Sequence, residues 1–134
     1  MLTKINHIGI AVQSLDAAIP FYRDNLCMAF AGIEEVPEQK VRVAMLTVGE
    51  SKIELLEPTS SESPVAKFLE KNGSGIHHIA YEVADIEAAI SKLLADGARM
   101  VDETPRNGAH GAHIAFIHPK SSGGVLTELC QAGH

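Results

Sequence analysis

Hydrophobic and polar positions in this chain fall into a short series of runs, and the series is written twice. Residues 5–12 (Ile5 to Val12) are apolar and rich in β-branched side chains, which predicts a strand. A helical spacing follows, capped by Ser14 or Asp16 and running to about Leu26. Its apolar stripe is Leu15, Ala18, Ile19 and Tyr22. Pro20 stands early in that helix, where proline is tolerated. Three strand-like runs come next at 29–36, 41–48 and 52–57, and Gly49-Glu50-Ser51 predicts a hairpin turn between the last two. Residues 58–64 are polar and turn-rich, and Ser63-Pro64 opens a short helix over 65–71 closed by Asn72-Gly73. The series then restarts. It predicts a strand at 76–83, a helix from the cap Asp85 to about Asp96 with Gly97 as its stop, and strands near 99–102, 112–118 and 124–131. Segments 102–111 and 119–124 read as loops.

The repeat is visible residue by residue. His7-Ile8 matches His78-Ile79, Val12 matches Val83, and Ala17-Ala18-Ile19 matches Ala88-Ala89-Ile90. Each half closes on a second echo, Ile53-Glu54-Leu55-Leu56 and Leu126-Thr127-Glu128-Leu129. The fold class expected is α+β. Two tandem βαβββ modules would pair in a curved, mostly antiparallel sheet, because neither module alone closes its sheet. A single domain over 1–134 is expected, with one module over about 1–58, a linker over about 59–74 and the second module over about 75–134.

Composition narrows the function. With 134 residues and 46% apolar content the chain is long enough to bury a core. No apolar run reaches the roughly 20 residues of a bilayer span, and no signal-peptide pattern opens the chain, so a cytoplasmic protein without a membrane partner is expected. Cys27 and Cys130 make no disulfide framework and read as buried small hydrophobes in a reducing compartment. A net charge of −6 and the absence of Trp argue against nucleic acid as a partner. No Gly-x-Ser-x-Gly, Cys-x-x-Cys, P-loop or Rossmann glycine pattern is present.

Seven histidines are the one compositional oddity, and two of them open the duplicated strands. The duplicated set His7, Glu54, His78 and Glu128 suggests one divalent-metal site. Imidazole and carboxylate together suit Mn, Co, Ni, Zn or Fe, and four such ligands leave open positions in an octahedron. Any one of these residues alone has an ordinary structural explanation; the symmetry is what raises the set above it. Carboxylates on apolar strands are costly unless partnered, and a cation is one suitable partner. His77 must point to the opposite strand face from His78 and reads as structural. His110, His113 and His118 lie in or beside loops without a partner in the repeat, and terminal His134 is assigned no role.

With those stretches in view the chain resembles the vicinal oxygen chelate superfamily and, within it, the methylmalonyl-CoA epimerases. Glu35-Val36-Pro37-Glu38-Gln39, Lys52 to Pro58, Ser63 to Leu69, Gly75 to Ala80 and His118 to Leu129 carry the resemblance. It implies a metal-dependent epimerase interconverting the C2 epimers of methylmalonyl-CoA through a metal-stabilised enolate, with carboxylates moving the proton. The implied cofactor is a divalent ion (Co, Mn, Ni, Zn or Mg), the implied partner an acyl-CoA, and the implied assembly a homodimer. Carried over by position, His7, His78 and Glu128 match ligands, and Glu128 also matches a catalytic glutamate. Two departures stand out: some epimerases carry a second catalytic glutamate where this chain has Val43, and glutamine where it has Glu54. We expect Glu54 to supply the missing carboxylate, as ligand, base or both. Lys120, Ser121, Gln39 and Arg106 are the candidate substrate contacts. The His, Glu, His, Glu set also fits a glyoxalase I-type lactoylglutathione lyase, and a non-catalytic antibiotic-binding protein shares the fold.

Overall fold

The computed structural model describes residues 1–133; His134 lies outside the described residues. Contacts divide the chain into two units, His7–His77 and Met1–Asn6 with His78 onward, so the first strand serves both. The fold is mixed α+β, and each repeat has the expected βαβββ order.

The unit His7–His77 holds most of β1 (Leu2–Ala11), then α1 (Leu15–Pro20), β2 (Ala29–Val36), β3 (Val41–Val48), β4 (Ser51–Pro58) and α2 (Pro64–Asn72). Its strands lie in the order β2-β3-β4-β1, with β1 parallel to β4 and the other neighbours antiparallel. Ile10, Leu46 and Leu55 face the helix and pack with Val12, Leu15, Ile19 and Ala44. Burying each such Leu or Ile contributes about 1.5–3 kcal/mol. Ser14 caps α1 by accepting from the Ala17 N–H. The helix predicted to reach Leu26 stops at Pro20 and widens into a π-turn over Phe21–Asn25, where the Leu26 N–H reaches back to the Phe21 carbonyl at 2.9 Å. Pro20 has no N–H to offer the carbonyl four residues back and its ring crowds that turn, and the change of pitch begins directly after it.

In the other unit β5 (Gly75–Val83) continues past its boundary residue His78 into α3 (Ile86–Ala95), β6 (Arg106–Asn107), β7 (His113–Ile117) and β8 (Thr127–Gln131). The order is β5-β8-β7-β6, with β5 parallel to β8. Val83, Ile86, Ala89, Ile90, Ala115, Ile117 and Leu129 form the core beneath α3. The strand expected near 99–102 is reduced to a single bridge between Met100 and Ile117, and the paired segment is instead Arg106–Asn107, inside the predicted loop. The segment between them contains Pro105 and no apolar alternation, so only two residues reach pairing geometry.

Candidate metal and acid–base site

Strand alternation explains which side chains reach the site. On β4, Ile53 and Leu55 face α1, so Glu54 and Leu56 point away from it. On β1 the same logic turns His7 and Gly9 away from the helix, and Gly9 is the register partner of Glu54. In the second repeat, β8 turns Leu129 toward α3 and Glu128 away, with Ala80 as the partner of Glu128 on β5. Each glutamate thus has a small residue beside it on one flank. On the other flank stands a large apolar one, Met45 beside Glu54 and Phe116 beside Glu128.

His7, Glu54, His78 and Glu128 are all buried, at 4%, 8%, 4% and 3% exposure. Carboxylates at such depth are rare unless partnered. His7 Nδ1 lies 3.3 Å from Glu54 Oε2, and His78 Nε2 lies 3.2 Å from Glu128 Oε1. Each unit thus brings one imidazole and one carboxylate together, His7 with Glu54 and His78 with Glu128. Buried imidazoles converging with a carboxylate are a donor set suited to a first-row divalent ion. Each imidazole–carboxylate pair offers donors of the kind the implied ion takes.

Val43 is buried at 2% exposure on the same β3 face as Met45, with Leu56 as its β4 partner and Glu34 as its β2 partner. His77 points the other way and packs its ring 5.1 Å from Phe68 of α2, in keeping with a structural role. Among the substrate candidates, Lys120 is exposed in the turn after β7, and its N–H donates to His118 Nδ1. Ser121 Oγ accepts from the Arg99 N–H at 2.8 Å, which ties that turn to the segment after α3. Desolvation, then the charges of Arg99 and Lys120, hold the His118 imidazole below its ordinary pKa. Gln39 ends the turn between β2 and β3, and its carbonyl accepts from the buried Ser63 hydroxyl. Arg106 stacks on Phe116. Sequence reasoning missed Phe116, whose only signal was a large apolar residue on the strand before the repeat's glutamate. It also placed Cys27 inside. That cysteine is exposed, in a turn with φ of 60°, while Cys130 is buried as expected.

The profile of the Glyoxalase/Bleomycin resistance protein/Dioxygenase superfamily matches residues 6–116, and the chain belongs to this superfamily. The relatives are more specific. An ethylmalonyl-CoA/methylmalonyl-CoA epimerase of Cereibacter sphaeroides is 45% identical over 98% of this chain and 99% of its own. A variant of the Streptomyces coelicolor methylmalonyl-CoA epimerase, solved with 2-nitronate-propionyl-CoA, superposes with a TM-score of 0.96 at 44% identity, covering 99% of this chain and 96% of that one. A methylmalonyl-CoA epimerase in complex with methylmalonyl-CoA and NH4+ is equally similar, at TM-score 0.96, 44% identity and the same 99% and 96% coverage.

Proposed function

We propose that the chain is a metal-dependent epimerase acting at C2 of methylmalonyl-CoA. The observation that carries the reading is the burial of two matched imidazole–carboxylate pairs, His7 with Glu54 and His78 with Glu128. His7, Glu54, His78 and Glu128 would hold one divalent ion. Bound there, the ion would supply a Lewis acid for the substrate's oxygens, lowering the acidity gap between a thioester α-proton and a carboxylate. Everything else falls to the protein. Glu128 removes or returns the C2 proton on one face, and Glu54 serves the opposite face in place of the carboxylate missing at Val43. Burial keeps water from the carbanion centre and strengthens each electrostatic contact. Lys120, Ser121 and Gln39 are proposed to meet the acyl-CoA. The homodimer and cytoplasmic setting inferred from the sequence remain part of this proposal.

The His, Glu, His, Glu set also suits isomerisation of a glutathione hemithioacetal. Exchange in deuterated water separates the two. Deuterium should enter C2 of methylmalonyl-CoA, exchange should fall to background after chelation, and it should return on adding Co2+ or Mn2+. Exchange indifferent to the chelator, or turnover of the hemithioacetal alone, would overturn the reading.

A further inference from the structure

We propose that Arg106 receives the free carboxylate of the acyl group and so selects malonyl-type thioesters over monocarboxylic ones. The inference rests on the acyl-CoA reading above and extends it to the residue that reads the acid.

Arg106 pairs with Ile114 across β6 and β7, which puts both on the strand face that carries Phe116 and Glu128. Its guanidinium carbon stands 5.4 Å from the centroid of the Phe116 ring. That same ring meets His78 at 5.5 Å and 84°, edge to face. Two successive ring contacts therefore link the guanidinium to a proposed metal ligand. On the acyl-CoA reading, a thioester held at the ion would bring its acyl end here and keep the phosphates of CoA a pantetheine arm away.

The cation is prepared for an anion. Stacking on an aromatic face fixes the plane of the fork, so little freedom is lost when a carboxylate binds it. Arg106 Nε is buried without a hydrogen-bond acceptor among the described residues, while the side chain as a whole keeps 38% exposure. Asp102 Oδ2 is the ion-pair partner of Nε at 3.4 Å, and it also accepts from the Phe116 N–H at 2.9 Å. Asp102 thus ties the Phe116 backbone to the Nε side of the guanidinium and leaves the terminal nitrogens of the fork to pair a planar carboxylate.

Propionyl-CoA is methylmalonyl-CoA without the carboxylate, so the pair isolates the proposed contact. We would titrate both into the metal-loaded protein and its R106M variant by calorimetry. R106M should weaken methylmalonyl-CoA by at least about tenfold, the loss of one desolvated ionic contact. Propionyl-CoA should change by less than about twofold. Should R106M lose its thermal transition, R106K carries the test, since a single ammonium cannot reproduce the fork and should weaken methylmalonyl-CoA alone. Equal weakening of both thioesters, no weakening of either, or a wild-type protein that does not discriminate between them would overturn the assignment. A wild-type protein that discriminates but exchanges no C2 proton would sink the epimerase reading and leave Arg106 standing.

Discussion

The two repeats use one plan with different parts. In each, a residue at the end of the fourth strand caps the helix from the side: the Leu15 N–H donates to Glu57 Oε1, and the Ile86 N–H donates to Gln131 Oε1, both at 2.9 Å. Glu57 is an anion and draws Arg42 to its second oxygen at 2.8 Å, whereas Gln131 is neutral and faces His113 across the ladder. Beside the glutamates the contrast is sharper. Met45 flanks Glu54 with a flexible chain, while Phe116 flanks Glu128 with a rigid ring that also holds His78 and Arg106. The plan fixes where a His and a Glu emerge; the substituted neighbours decide what each half does with them. The second half is the more firmly built around its pair, which suits a fixed base. The first half carries the buried Val43 on β3 and keeps Glu54 as its buried acid.

The largest test of that division is to neutralise each glutamate at nearly constant shape. E128Q should lower kcat about 100- to 10,000-fold, the span of a lost general base. E54Q should fall in the same range, and E34Q, on the strand facing Val43, should stay within about threefold. A full-rate E54Q with normal metal content would remove Glu54 from catalysis. An inactive E34Q would move the second base to β2.

The helix caps offer a smaller contrast. E57A strips a carboxylate from both the Leu15 N–H and Arg42, and should cost about 1.5–3 kcal/mol in denaturant unfolding. Q131A breaks a neutral bond and should cost less, about 1–2 kcal/mol. Equal costs would mean that Arg42 adds nothing. Smallest are the N-caps: S14A and D85A should each cost about 1 kcal/mol, with D85A the larger because an anion also meets the helix dipole. A reversed order would show that the short α1 depends on its cap more than α3 does.

Much of this was legible in the sequence because strands and caps are local. The period-two pattern, Ser63-Pro64, Asp85 and Gly97 are each read within one turn of chain, and β2, β3 and α2 fall within a residue of the runs that predict them. The candidate metal residues were legible through repetition, which turns four ordinary residues into two matched pairs. What escaped was set by distant neighbours or by backbone strain. The π-turn after Pro20 depends on how a missing N–H is accommodated, and β6 is a strand only because Ile114 and His113 offer a ladder to pair with. Phe116 gains its role from His78 and Arg106, which no periodicity connects to it.

The central claim is that the two halves serve one ion. Calorimetric titration of the metal-free protein with Co2+, beside the variants H7A, E54Q, H78A and E128Q, measures it directly. The account predicts one ion per chain, with every one of the four substitutions weakening that single event by about tenfold or more. Two ions per chain, or variants of one half that leave binding untouched, would contradict it.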